Sequence, residues 1–550
     1  MKTLKSFLLI LAAAAAVSCE AVLDVKSPDY YSEAVIWSGN QDTFDSYTIG
    51  NYGGVRDRAE MFDLNGRFTD ALTDIIKSGD WNSIQRYNRC MIWTSEFTTD
   101  KVSIFDYWEE VYTRIKRYNE WFDNLEKYRS NFKDPNWLAI REAETHFLRA
   151  WSYWHLARIW GGVVIRDHLD GPDQNDKPIS SEADTWQFII DELQLAAPNL
   201  PVAWPDNWRG RVTQAAAYGF LSRVALYAKQ WDVAVDAADK CKAAGGALDP
   251  VFSNIFSNER SVENLFTIEF FSSNIASNLT VMTDEMFRPK GDEPYHNAGG
   301  RTILSWLVPT SELVDEFEMA DGSAFSWATN GADPYSNRDP RFYATILYNG
   351  ADWEGRKIET YVGGVDGYKK FDKSEISTTV TGYYLRKFIV ENDHSWDTYG
   401  TGRFSVLLRY GEVLLNKAEA LAQQNWDANK TQALAALNEL RSVRGMPAKS
   451  ATTLDAFMAL IEHERMVELA GEGFRFWDLR RWRRAVDVLD NMSVHGVKIT
   501  KNGDNSFTYE QEDADAGEKR HFFEKYYAFS IPQAERSRNG ALKGYNNPGW

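Results

Sequence analysis

Apolar residues recur at spacings of three and four over much of this chain, the period of a helix with one buried face. Phe105 to Leu125 carries Val111, Ile115, Tyr118 and Phe122 in that rhythm. Asp134-Pro135 reads as a cap followed by proline in the first helical turn. Ile140, Ala143, Phe147, Ala150, Trp154 and Ala157 then form one face, up to a stop at Gly161-Gly162. Thr185 to Ala197 is a third helix, stopped near Pro198. Thr213 caps "QAAAYGFLSRVALYAKQ", and a turn at Gln230-Trp231-Asp232 leads into "VAVDAADKCKAAGG". Ala217, Ala234 and Ala238 stand where these two helices cross. The pair has the length and alanine pattern of a tetratricopeptide (TPR) unit, although the period does not recur cleanly.

From about residue 250 to 400 the pattern changes. Gly, Pro, Asn, Asp and Ser become frequent and the helical period fades. "ENLFTIEFF", "FYATILY" and "YYLRKFIV" read as strands, and "VPTSELVDEFE" as one short helix capped by Thr310 or Ser311. Helices return at Phe404 to Gln424, at "TQALAALNELRSVRG" with its stop at Gly445, and at Asp455 to Leu469. The tail "AFSIPQAERSRNGALKGYNNPGW" is extended and rich in turns. The expected fold is mainly α: a TPR-like superhelix interrupted by a loop-rich, hairpin-containing excursion. One domain is expected over 19–550, with helices at about 55–250, the excursion at about 250–400, and further helices and the tail at about 400–550.

The N-terminus stands apart from that fold. Lys2 and Lys5 precede an apolar run from Phe7 to Val17, closed by Ser18-Cys19. This is a signal peptide over 1–18, and the small residue before Cys19 marks a lipoprotein site with Cys19 as the acylated residue. Ala16 stands where Leu is commonest. The run is short for a spanning helix. Cys90 and Cys241 remain; two cysteines make no disulfide framework, and Cys241 in a helical pattern reads as a small buried thiol.

With 550 residues and a net charge of −18, the chain has ample length for a large core and no basic field to hold phosphates, which argues against nucleic acid. There are 21 Trp, 26 Tyr and 30 Phe, a surplus that raises the prospect of exposed platforms for flat ligands such as sugars.

The densest stretch is "ERMVELAGEGFRFWDLRRW", residues 464–482. Glu464 and Glu468 share a helix face, Gly471 and Gly473 bracket Glu472 and break the helix, and Phe476, Trp477 and Leu479 restart an apolar face beside Arg480 and Arg481. Glu464 and Glu472 have the residue type of catalytic carboxylates. Their arginine neighbours favour instead a structural clasp of bidentate pairs.

This stretch resembles the motif ER-x-x-EL-x-x-EG-x-RFWDLRRW of the SusD/RagB family, outer-membrane nutrient-binding lipoproteins of Bacteroidota. "LLRYGEVLLNKAEALAQ", "ALNELRSVRGM" and "FSIPQAERSRNGALKGYNNPGW" resemble further family segments, in the right order over nearly the whole mature chain. Phe474 replaces a frequent His, and Gly544-Tyr545 replaces part of the closing motif. The resemblance implies TPR-like helix pairs with a loop-rich ligand face. It also implies a lipid anchor in the outer membrane facing the cell exterior, and capture of oligo- or polysaccharide, or in some members peptide. The implied partner is a SusC-like TonB-dependent transporter that this protein caps.

Ligand residues are chosen by chemistry, since Trp and Tyr stack on sugar faces while polar side chains bond the hydroxyl rim. "SGDWNSIQRYNRCMIW" supplies Trp81, Asn82, Arg86, Tyr87 and Trp93. "MFRPKGDEPYHNAGGRTILSW" supplies Phe287, Arg288, Tyr295, His296 and Trp306. Trp327, Trp353 and Trp396 are weaker candidates. Three stacks of roughly 0.5–1.5 kcal/mol each plus hydrogen bonds give about 4–5 kcal/mol, a Kd on the order of 0.1–1 mM. No HExxH, GxSxG, Walker A or CxxC pattern occurs, so no enzyme is expected; a glycoside hydrolase is the rival reading. No cofactor is expected, and the acidic stretch at 321–339 offers only loosely spaced oxygens for Ca²⁺.

Overall fold

The computed structural model describes residues 32–55, 67–79, 97, 99, 105, 107–171, 175–269, 286–292, 303, 305, 307–372, 374, 376, 378–392 and 404–550. The helical scaffold runs through α1 (Gln41–Gly50), α2 (Trp108–Tyr128), α3 (Pro135–Trp160), α4 (Glu182–Ala196), α5 (Gln214–Tyr227) and α6 (Trp231–Ala243). After the excursion, with its short helices α7 (Ser311–Glu316) and α8 (Pro340–Thr345), come α9 (Tyr410–Gln424), α10 (Trp426–Val443), α11 (Leu454–Glu468) and α12 (Arg475–Arg481). From α2 to α6 each long helix packs on the next; α6 packs on α9, and α9 on both α10 and α11. This is the expected mainly helical, TPR-like arrangement.

The caps explain where helices begin. Asp134 accepts the backbone N–H groups of Asn136 and Trp137, with Pro135 already in the first turn. Ser181, Thr213, Asn425 and Thr453 cap α4, α5, α10 and α11 in the same way. Thr310, rather than Ser311, caps α7. Crossing points use small residues: Ala217, Ala234 and Ala238 are buried. A Cβ on Gly219 would lie 2.9 Å from Leu265 and 3.2 Å from Val413, so only glycine lets α5 lie this close to its neighbours.

Three sequence expectations need correction. Residues 404–424 are not one helix. Phe404–Arg409 is a strand, β6, which pairs antiparallel with β2 (Asn264–Glu269), and the helix starts only at Tyr410. Long aliphatic residues serve both periods, and the tertiary pairing decides. In "FYATILY" the cap Asp339 and Pro340 instead start α8, leaving a two-residue strand β4 (Ile346–Leu347). Its partner β5 is only Tyr384–Leu385 of "YYLRKFIV". A hairpin of β7 (His495–Lys501) and β8 (Phe507–Asp513) went unread, although "KITKNGDNSFTYE" carries alternation around an Asn-Gly-Asp-Asn turn.

The densest stretch of the sequence builds a buried ionic network. Arg341 donates to Glu464 (2.6 Å) and Glu468 (2.9 Å). Arg409, the last residue of β6, donates to Glu263, Glu468 and Glu472 at 2.8 Å each. Arg441 bridges Glu464 (2.6 Å) and Glu318 (2.8 Å), and Arg444 bridges Glu468 (2.9 Å) and Glu263 (2.8 Å). Lys387 reaches Glu472 (2.7 Å) and two backbone carbonyls. Burial is the largest influence on each carboxyl and pushes its pKa up. The summed attraction of the cations outweighs it, so Glu464, Glu468 and Glu472 lie below their ordinary value, Glu468 far below. Burial dominates at Lys387 and pushes it down to about 8.

The second half of the motif clasps other elements. Arg465 and Arg481 share Asp478, and Arg481 also pairs with Glu419. Arg480 donates to the carbonyls of Arg158 and Ile159 at the C-terminal end of α3 and to that of Tyr527. Phe476 and Trp477 enter the largest apolar core, which also takes in α3, α4, α5 and the tail residues Phe529, Ile531 and Leu542.

Breaking this network by removing one cation leaves buried carboxylates uncompensated. Arg409→Met is expected to lower the unfolding free energy in urea by about 3–5 kcal/mol; a loss below about 1 kcal/mol would sink the idea that these pairs hold the fold. A pH dependence follows from the lowered carboxyl values. The unfolded chain takes up more protons than the folded one as pH falls past 4.5, the ordinary glutamate value. The stability these three carboxyls contribute is therefore expected to be full above that value and to be lost progressively below it. A urea midpoint unchanged between pH 6 and pH 3.5 would contradict this.

Candidate ligand-binding face

Two short paired strands stand next in the chain to the segments that carry most of the candidate ligand residues. "DIIKSG" is a brief apolar run ended by glycine, and Ile76–Ser78 forms β1. It pairs antiparallel with β3 (Leu307–Pro309), with Ile76 opposite Pro309, Lys77 opposite Val308 and Ser78 opposite Leu307. The chain leaves β1 at Ser78 toward the segment carrying Trp81, Asn82, Arg86, Tyr87 and Trp93. It enters β3 at Leu307 from the segment carrying Tyr295, His296 and Trp306. Both segments therefore depart from one end of one ladder. Those eight residues lie outside the described residues, as do Cys19, Cys90 and Trp396.

The ladder is firmly seated. Thr310 bonds back to Ile75 O (3.1 Å) and through its hydroxyl to Asp74 O (2.6 Å). Arg475 of the motif holds Asp74 with two bonds, at 2.9 and 2.7 Å, and Gly473 N donates to Asp70 (2.8 Å). The clasp thus reaches the residues that lead into β1.

Phe287 and Arg288 do not belong among the ligand contacts. Phe287 is 1% exposed, with its ring 5.6 Å from Phe388. Arg288 is fully buried and pairs with Asp292 (3.2 Å) and Glu354 (3.0 Å). Neighbouring Pro and Gly suggest an exposed loop in the sequence; in the fold the ring is core and the guanidinium is a counter-ion. Their role is at the base of the loop, where Ser305 Oγ donates to Arg288 O (2.9 Å) and so ties its two ends together. Asp292 also accepts Trp353 Nε1 (3.0 Å) and Arg356 (2.7 Å). Gly291 N donates to Asp366 (2.9 Å), and a Cβ there would lie 2.5 Å from that carboxylate.

The weaker tryptophan candidates resolve similarly. Trp353 is buried. Trp327 is half-buried, donates Nε1 to Asp315 (2.9 Å) and lies against Phe325 and Tyr509. Burial pushes Asp315 up to about 6. In the acidic stretch at 321–339, Asp339 is committed to Arg341 and Asp321 to Ser323. Among the described residues no group of three or more His, Cys, Asp or Glu is placed to hold a metal. Glu464, buried, and Glu472, half-buried, the paired acids of the motif, are ringed by cations. Cys241 is buried, and burial pushes its thiol up to about 12.

Sequence reading missed an open groove of about 480 Å³ between α1, the 206–211 turn and β2, with Tyr52, Trp208 and Ile268 on its walls. Its signal was "WPDNWRGR", an aromatic pair among turn residues. Trp208 is half-exposed and lies 5.2 Å from the Arg211 guanidinium.

Comparison with known proteins agrees with this architecture. Residues 262–550 match the sequence model of the SusD family, and residues 22–226 match one described as "Starch-binding associating with outer membrane". A SusD-like protein of Formosa agariphila is 24% identical over 534 residues, covering 88% of this chain and 92% of its own length. One of Bacteroides ovatus is also 24% identical, over 502 residues, covering 88% and 83%. A SusD-like crystal structure from Bacteroides fragilis superposes with a TM-score of 0.78 at 24% identity, covering 96% of this chain and all of that one. A structure titled as a laminarin-binding SusD-like protein superposes at 0.67 with 20% identity, covering 93% and 100%. Surface glycan-binding protein A of Bacteroides thetaiotaomicron, in complex with laminarihexaose, superposes at 0.66 with 18% identity, covering 92% and 99%. No described helix is long and apolar enough to cross a membrane. A family match over more than half the chain, on a scaffold clasped by that family's motifs, places this protein in the SusD family.

Proposed function

We propose that this chain captures an oligo- or polysaccharide at the cell surface and delivers it to a SusC-like TonB-dependent transporter in the outer membrane. The observation that carries the reading is the β1–β3 ladder, from one end of which both aromatic-rich segments depart. Trp81, Tyr87, Trp93, Tyr295 and Trp306 supply stacking surfaces, and Asn82, Arg86 and His296 supply partners for sugar hydroxyls. The relatives' titles, laminarin-binding and glycan-binding, point to the same ligand class. Weak individual sites suffice where a polymer offers many repeats and the protein is tethered beside its transporter. The tether is an acyl chain on Cys19 at the start of the mature protein. No catalytic step is assigned, since the motif carboxylates are committed to arginines.

Affinity electrophoresis of the form beginning at Glu20, across neutral polysaccharides including laminarin and a casein-type peptide mixture, tests the ligand class. Retardation in at least one polysaccharide is expected, with a Kd on the order of 0.1–1 mM, weakened at least tenfold in Trp81→Ala. Retardation untouched by that substitution would move the site to the 293–306 segment. A shift by peptides alone would refute the glycan reading. For the tether, Cys19→Ser is expected to move the full-length protein from the membrane pellet to the soluble fraction; pelleting unchanged would exclude acylation at that residue.

A further inference from the structure

Lys77 is the middle residue of β1 and is completely buried. Its Nζ lies 3.0 Å from Asp515 Oδ1, and both side chains are shut off from solvent. The same ammonium sits 3.9 Å from the centre of the Phe371 ring. Asp515 follows the β7–β8 hairpin. Its other oxygen accepts Arg520 Nε (3.0 Å) and Val494 N (3.0 Å). Arg520 in turn donates to Thr73 O, just ahead of β1. Burial pushes the Asp515 carboxyl up, and Arg520 and Lys77 more than reverse that.

An apolar side chain would fill the Lys77 position without desolvating a charge, so stability alone does not account for a lysine there. What the pair supplies is register. A slip of β1 by one residue would turn Lys77 to the opposite face and leave the ammonium buried without its carboxylate. The C-terminal segment also reaches the other flank of the take-off point. Val497 N donates to Thr381 O (2.8 Å), and Thr378 O and Val380 lie 3.6 Å from where a Cβ on Gly79 would stand.

We propose that Lys77 and Asp515 are positioning residues of the ligand face: their buried pair fixes the register of β1, and through the β1–β3 ladder the departure of both aromatic-rich segments. The proposal rests on the reading that those segments hold the glycan, but its first test does not need a ligand. Lys77→Met leaves Asp515 paired with Arg520 and places a thioether against Phe371, so the variant retains its fold.

Hydrogen–deuterium exchange on the intact mature protein should show at least a tenfold rise in rate for peptides spanning 76–93 and 293–310, with α5, α9 and α10 unchanged. Lys77→Gln, which keeps a donor toward Asp515, should stay within about threefold of the unsubstituted protein. Val224→Ala, a core truncation in α5, serves as the control for plain destabilisation. Rates in the two peptides that remain unchanged in Lys77→Met, or that rise only in the pattern of Val224→Ala, would overturn the proposal. If a polysaccharide retards the unsubstituted protein, Lys77→Met should weaken retardation about tenfold; undiminished retardation would also count against it. If none does, the exchange result still decides the positioning role, and the glycan reading alone fails.

Discussion

Everything in this fold leans on the saturation of Glu468 by three guanidinium groups. A buried carboxylate is tolerated only when its lone pairs and charge are met on all sides, and here Arg341, Arg409 and Arg444 meet them together. The three come from different parts of the chain: α8 of the excursion, the end of β6, and the residue following α10. None can be withdrawn alone without stranding charge. This explains why "LLRY", "ELRSVRG" and "ERMVELAGEG" behave as one signature although they are separated in sequence. They supply the two halves of one ionic lattice.

The lattice also anchors the β1–β3 ladder. The helix carrying Glu464 and Glu468 runs into the turn whose Gly473 and Arg475 grip Asp70 and Asp74. Those residues lead into β1. Glu263 and Lys387 carry the same attachment to the excursion. The β1–β3 ladder gains a fixed frame in this way, because the residues leading into it are tied to buried ion pairs.

Much of this was legible in the sequence, for physical reasons that differ from element to element. Long amphipathic helices with side-chain caps, such as α3 and α5, declare themselves by period and by Asp134 and Thr213. The clasp was legible because acids and arginines alternate more densely than solvation requires. The 404–424 stretch misled because Val406, Leu407 and Leu408 suit either period, and only the pairing with β2 decides between them. Phe287 and Arg288 misled because local Pro and Gly say nothing about Asp292 or Glu354, which meet the guanidinium through the tertiary fold. Asp515 is farther still from Lys77 in the chain, so no local pattern pairs them. Of the ten candidate ligand residues, Phe287 and Arg288 are buried, and the other eight lie outside the described residues.

The common end of the β1–β3 ladder has a consequence for how such a protein diversifies. Two segments rooted on paired residues, Ser78 and Leu307, begin close together whatever lies beyond them. The entropy of lengthening a surface loop grows only slowly with its length. Insertions and deletions beyond those two roots therefore add only a small entropic cost. The scaffold behaves as a socket: selection can exchange what is plugged into it while the wiring behind the wall stays in place.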